Sequence, residues 1–236
     1  MKTAIYIHGL GGSGYGSSAK NVKKSLSSLS DTNKAFKNLF GGEEFSFSAG
    51  TYDLLKPEQA FPQIQADMNK ADLVIASSLG AFYASCALCD DAFSGAQCNS
   101  VAGGDSGAGD FAGTTGATKN TRILLLNPCL EPENTIKNIL YPEQKKDFDE
   151  EKCHSAWKTL KENWKKLPAE KRGLRFGVFS DKDELFSFRP LFIANFGTSA
   201  PNQENSVMIS GTHEIAKSEE QLSSALNAFL KYCSDC

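Results

Sequence analysis

The chain has 236 residues, of which 40% are hydrophobic and 22% charged, and 28 acidic side chains against 25 basic ones leave a net charge of −3. That is the composition of a folded globular protein, long enough for one large domain with room for an insertion. It excludes a basic footprint for nucleic acid or an anionic membrane surface, and no apolar run approaches the ~18 residues of a membrane span.

The first predicted strand is Ala4–Ile7. Behind Lys2 it is too short for the apolar core of a secretory signal, so the expected compartment is the cytoplasm. It leads into "HGLGGSGYGS", where Gly9, Gly11 and Gly14 stand at G-x-G-x-x-G spacing. A dinucleotide-binding loop would also need an acidic residue roughly 20 positions on, at the end of the second strand. The second predicted strand, Phe45–Phe47, is followed by Ser48, Ala49 and Gly50, and the first acid beyond it is Asp53. The first helix, with Val22, Leu26 and Leu29 at helical spacing, begins near Ser17 or Ser18, too late for the third glycine to pack it on the strand. The spacing is therefore read as incidental, and no cofactor is expected.

The third predicted strand, Leu73–Ala76, runs into "SSLGAFYAS" and a helix rich in small residues from Leu79 to Leu88. A glycine-, serine-, threonine- and alanine-rich stretch follows, Asp90–Asn120, which has too little apolar surface to build a core and reads as an irregular loop. It joins a helix to the next strand, so it is expected to leave from the edge of the sheet opposite a binding crevice. The fourth strand, Ile123–Leu126, gives way to a long helical stretch, Cys129–Pro168, carrying Phe148, Trp157, Leu160, Trp164 and Leu167 as one apolar stripe. A crossover needs only about a dozen residues. The stretch can be a crossover helix, and its surplus length also allows a small cap over a site at the carboxyl edge.

The fifth and sixth strands are Phe176–Phe179 and Val207–Ile209, and the last helix shows Leu222, Leu226 and Leu230 at i, i+4, i+8 with Phe229 beside them. Strands alternating with helices predict a three-layer α/β/α sandwich around a mostly parallel, doubly wound sheet of about six strands, as one domain over residues 1–236. Four of the seven cysteines form two C-x-x-C pairs, 86/89 and 233/236. These are read as reduced thiols in a helix and at a frayed terminus, and no zinc site is expected.

Chemistry concentrates at three strand ends. Around Ser78, Ala76 and Gly80 give the pattern small-x-Ser-x-small. A nucleophilic serine on a strained strand-to-helix turn needs it, because larger side chains two positions away would collide. Centring on Ser77 would put Ile75 and Leu79 in those crowded places. An N-cap is the ordinary alternative for either serine. After the fifth strand stand Asp181, Asp183 and Glu184, and after the sixth stands His213 in "SGTHE". The other histidines are His8, at the end of the first strand, and His154, among charged residues of an expected surface helix.

Taken in order, "IYIHG", "ASSLGAFYA", "SDKDELF" and "GTHE" resemble the α/β-hydrolase superfamily, and within it the small YqiA/YcfP-like bacterial esterases, which also share an "NP" after the fourth strand (Asn127 and Pro128). The resemblance spans most of the chain and departs from the pattern at Ala76 and in the glycine-rich stretch. It implies a catalytic triad of Ser78, Asp183 and His213, and the family's acid turn points to Asp183 over Asp181. Backbone N–H groups of Leu79 and Leu10 are then the expected oxyanion hole, and the expected substrate is a small ester or thioester. A non-catalytic binding protein on the same fold remains the alternative of a different class.

Overall fold

The computed structural model describes residues 1–87, 121–197 and 204–234. The expected loop over 90–120 lies outside them, as do Cys89, Cys98 and Cys236.

Six strands are seen among the described residues: β1 Lys2–Ile7, β2 Phe45–Ala49, β3 Leu73–Ser77, β4 Arg122–Leu126, β5 Arg175–Ser180 and β6 Ser206–Ile209. All pair in parallel, in the order β2-β1-β3-β4-β5-β6. Each predicted apolar run lies within one of them; the structure adds polar residues at their ends, where apolar content is no guide.

Alternation along the strands divides the core into two. Ile5, Ile7, Val74, Ala76, Ile123 and Leu125 face one way, and Ala4, Tyr6, Leu73, Ile75, Leu124 and Leu126 the other. The first face is covered by helices α3 (Pro57–Lys70), α4 (Ser78–Cys86), α7 (Glu150–Lys166) and α9 (Arg189–Phe196). The second is covered by α1 (Ser17–Thr32), α2 (Lys34–Leu39) and α10 (Glu219–Ser234). The result is a three-layer α/β/α sandwich with a doubly wound parallel sheet. The chain passes from β1 to β2 on one side and returns to β3 on the other. The order therefore reverses between β1 and β3, which opens a crevice at their carboxyl ends.

The long segment after β4 contains α5 (Pro132–Ile139), α6 (Pro142–Lys146) and α7, with α8 (Ala169–Arg172) leading into β5. Helix α7 is a layer helix. Its stripe of Trp157, Trp164 and Leu167 is buried, and Phe148 and Leu160 pack beside it. The indole N–H groups find partners on α4, Trp157 Nε1 donating to Tyr83 Oη at 2.9 Å and Trp164 Nε1 to Ser85 Oγ at 3.2 Å. The stripe thus braces the helix that begins at Ser78. No helix among the described residues is long and apolar enough to cross a membrane.

Candidate active site

Helix α4 starts directly at the end of β3, and Ser78 is its first residue, at φ 52°. Among the described residues only Asn127 (φ 42°) is another non-glycine residue with positive φ. This backbone conformation is costly for an ordinary side chain, and where it persists it often serves a site. It turns the chain sharply enough to lift Oγ above the sheet edge. The turn holds only because its neighbours are small. A Cβ on Gly80 would lie 2.1 Å from the backbone oxygen of His8 and 2.9 Å from Ile7 Cγ2. Gly80→Ala therefore forces β1 and α4 apart. Such overpacking costs about 1–3 kcal/mol, and at this chain length the melting temperature is expected to drop by about 2–12 °C, read by a thermal melt.

The serine meets the histidine predicted from the far end of the chain. His213 Nε2 lies 3.0 Å from Ser78 Oγ, and its Nδ1 lies 2.8 Å from Asp183 Oδ2. The carboxylate can only accept, so Nδ1 carries the proton and Nε2 accepts from the serine hydroxyl. The imidazole and the carboxylate are largely buried, with side-chain exposures of 9% and 3%. The other carboxylate oxygen of Asp183 accepts the backbone N–H groups of Leu185 (2.9 Å) and Phe186 (3.2 Å), which fixes its plane. The Phe186 ring stands edge-on to the imidazole, with centroids 4.7 Å apart.

The two other acids of that turn do different work. Asp181 accepts the Gly211 N–H at 3.0 Å and so ties the turn after β5 to the turn after β6. Glu184 Oε2 accepts the backbone N–H of His213 at 3.2 Å. Neither approaches the imidazole nitrogens as Asp183 does.

His8 stands at the end of β1, but its ring turns away from the serine. Nδ1 donates to its neighbour's carbonyl at Gly9 (2.8 Å), and Nε2 accepts the N–H of Tyr52 at 3.0 Å, with the Tyr52 ring stacked on it. The ring is thereby held neutral and fixes the path of the loop after β1 against the loop after β2. Burial pushes its pKa below the ordinary 6.5, partly opposed by the bond to Gly9. The sign of the pH dependence follows. Once unfolded, the ring takes up a proton at its ordinary value, so below about pH 6.5 the unfolded chain holds the extra proton. Stability is then complete above that value and lost as pH falls through it towards the lower, folded one. The slope is at most about 1.4 kcal/mol per pH unit. Thermal melts between pH 7.5 and 5.5 are expected to show this loss in the wild type and a flatter profile in His8→Gln.

The glycine loop has its own close approach. A Cβ on Gly14 would lie 2.2 Å from the carbonyl oxygen of Ala49, and the Gly14 N–H donates to Thr51 Oγ1 at 3.0 Å. The third glycine of the run thus seats the loop on the end of β2, and α1 begins later, at Ser17. Asp53, the acid that a dinucleotide reading would need, pairs with Lys56 at 2.9 Å.

A cavity of about 460 Å³ opens over Ser78 and His213. Leu10, Ile139, Tyr141 and Leu185 border it on apolar ground, and Tyr6, Ser17, Ser18 and Ser77 on polar ground. Tyr6 Oη donates to Ser77 Oγ at 3.1 Å, so the serine next to Ser78 is engaged with β1 on the α1 side of the cavity. From the long segment after β4, the residues that border the cavity are Ile139, Tyr141 and Gln144, at the junction of α5 and α6. His154 lies on α7 beside Trp157, with ring centroids 6.0 Å apart.

Among the described residues no group of three or more histidines, cysteines and acids is placed to hold a metal. Cys86 is buried in α4, where burial pushes its thiol up to about 12, and Cys233 is half-buried on α10.

Asn127 stands out in the sequence only as the residue before Pro128. This residue is buried and joins the ends of β4 and β5 to the histidine turn. Its signal was a lone polar side chain at the carboxyl end of a central, otherwise apolar strand.

Parallel strands in this order, with a strained serine turn beside the point where the order reverses, make a doubly wound α/β fold with the serine at its crevice. No protein-family model matches the chain, and no curated protein matches it in sequence. Among solved structures it is similar to TT1662 from Thermus thermophilus, at 9% identity and a TM-score of 0.48 over 99% of this chain and 88% of that one. It is similar to the same extent to mouse alpha/beta hydrolase domain-containing protein 10, at 12% identity, a TM-score of 0.48 and coverage of 99% and 88%. A propionate-bound thermophilic esterase from the Planctomycetes species Thermogutta terrifontis is similar at 16% identity and a TM-score of 0.41, over 99% of this chain and 81% of that one.

Proposed function

We propose that the protein is a serine hydrolase that cleaves a small carboxylic ester or thioester through an acyl-enzyme. The observation that carries this reading is the continuous contact from Asp183 through His213 to Ser78, with the serine on a strained turn at the mouth of a cavity. A serine hydroxyl is a weak nucleophile at neutral pH and needs a base within hydrogen-bond reach. His213 is at that distance and takes the proton as Oγ attacks the carbonyl carbon. Asp183 keeps the imidazole in the tautomer that leaves Nε2 free and stabilises the imidazolium that forms.

The carbonyl π electrons move onto oxygen, and that oxyanion needs donors already in place. The first turn of α4 leaves its N–H groups without intrahelical partners, and the N–H of Leu79, next to Ser78, is the first donor assigned. The second is the N–H of Leu10, from the loop after β1. Both are backbone groups, so apolar side chains suffice at these positions. Collapse of the tetrahedral species breaks the bond to the alcohol or thiol, which leaves with the proton from His213. Water, deprotonated by the same imidazole, then attacks the acyl carbon; the bond to Ser78 Oγ breaks, Oγ takes the proton back from His213, and the acid is released.

The cavity volume suits a small ester, and Leu10, Ile139, Tyr141 and Leu185 favour an apolar moiety on one side of the scissile bond. The test is labelling of the purified protein by a fluorophosphonate, together with turnover of short p-nitrophenyl esters and thioesters. Stoichiometric labelling of Ser78 with turnover supports the proposal. A folded sample that neither labels nor turns over any of them overturns it and favours a non-catalytic binding role on this fold.

A further inference from the structure

We infer that Asn127 is a positioning residue that holds the general base in register with the nucleophile; this rests on the reading of Ser78, His213 and Asp183 as a hydrolytic triad. Asn127 follows the last residue of β4 and is 2% exposed. Its φ of 42° lies in the left-handed region, which asparagine enters at less cost than most side chains. Its backbone N–H still extends the sheet, donating to Val178 O at 2.8 Å.

The side chain then reaches across two strand ends. Oδ1 accepts the Ser180 N–H at 2.8 Å, and the two hydrogens of Nδ2 are shared among Ser180 Oγ at 3.0 Å, the Thr212 carbonyl at 3.2 Å and the His213 carbonyl at 3.0 Å. A backbone N–H can only donate and a carbonyl can only accept, so these partners admit one orientation of the amide. At the other end of the same short turn, the Cys129 N–H donates to the Ser78 carbonyl at 3.1 Å. One turn therefore grips the serine elbow with its backbone and the histidine turn with its side chain.

The other ties of the histidine turn run elsewhere. His213 N–H goes to Glu184, Gly211 N–H to Asp181, and Lys182 N–H to the Gly211 carbonyl, all on the acid turn after β5. Those bonds fix His213 relative to its acid. The Asn127 amide fixes it relative to β4 and the elbow, and so sets the 3.0 Å between Nε2 and Oγ. A misplacement of about 1 Å at reacting groups can cost on the order of 10²-fold in rate.

Two substitutions separate this role from bulk support. Asn127→Gly keeps the left-handed backbone and removes the amide. Asn127→Asp keeps the shape but turns an acceptor towards two carbonyls. Both are to be compared with the wild type by thermal melt, by kcat and KM on a short p-nitrophenyl ester, by the rate of fluorophosphonate inactivation, and by the downfield proton resonance of the His213 ring N–H. The expected result is a kcat and an inactivation rate lower by about 10–100-fold. KM is expected to stay within about threefold, since Asn127 is not among the cavity-lining residues. The ring N–H resonance is expected to be lost or shifted while the variants remain folded.

A folded Asn127→Gly with wild-type kcat and an unchanged resonance overturns the inference. So does loss of folding in both variants, which would make the residue a determinant of the fold alone. If the wild type itself neither labels nor turns over, the hydrolase reading has failed. The resonance still reports in that case whether Asn127 holds the imidazole.

Discussion

Ser78→Ala is expected to lower kcat/KM on any ester the wild type cleaves by about 10⁴-fold or more, and to abolish fluorophosphonate labelling. The substitution removes one oxygen atom. That oxygen is the only side-chain atom at the elbow able to attack a carbonyl, and it lies 3.0 Å from the imidazole nitrogen that would take its proton. Ser77, its neighbour, cannot replace it: its Oγ accepts the Tyr6 hydroxyl on the α1 side. The backbone donors assigned to the oxyanion survive the change, so a residual rate above that in water is expected. The fold is expected to tolerate it, because alanine has the same backbone demand at φ 52° and loses one hydrogen bond worth about 1 kcal/mol. The check is a steady-state assay and a labelling gel beside a thermal melt. A folded variant with undiminished turnover would remove Ser78 from the chemistry.

The fold was legible because buried parallel strands write themselves as apolar runs, and every run marked one. Helix α7 was legible as an apolar stripe, but not in its partner. Its choice of α4 depends on where Tyr83 Oη and Ser85 Oγ point, and spacing along one helix does not encode that. The three strand-end residues of the candidate site could be named from sequence because each follows an apolar run in a fixed order, and the structure does bring them together. Between Asp181 and Asp183, spacing alone left both open, since both follow β5 within one turn, and the preference for Asp183 came from the resemblance. The structure separates them by which group of the histidine turn each carboxylate meets, the Gly211 N–H for Asp181 and the imidazole for Asp183. His8 and Asn127 were visible as residues, but their work was not. Each acts through bonds to backbone groups of distant segments, Tyr52 in one case and Thr212 and His213 in the other, and such groups carry no side-chain signature.

The pair Asp183→Asn and Asp181→Asn tests the second large expected effect, because the two substitutions are chemically identical and only the geometry separates them. At position 183 the amide keeps the size of the carboxylate. It can present an N–H to His213 Nδ1 where the acid presented an acceptor. That favours the imidazole tautomer with its proton on Nε2, which then cannot take the proton of Ser78. The imidazolium also loses its counter-charge as it forms. Turnover is expected to fall by about 10⁴-fold, with substrate binding little changed. The bonds that Oδ1 accepts from Leu185 and Phe186 can pass to the amide oxygen, so the turn and the melting temperature are expected to hold. At position 181 the same exchange leaves an oxygen to accept the Gly211 N–H, and the Lys182 N–H still reaches the Gly211 carbonyl. Activity there is expected to stay within about tenfold of the wild type, since no group that meets the substrate has changed its protonation. The reverse ranking in a kcat assay would move the acid's role to Asp181. It would also require the turn after β5 to rearrange, because in the present geometry the carboxylate of Asp183 is the one 2.8 Å from the histidine ring.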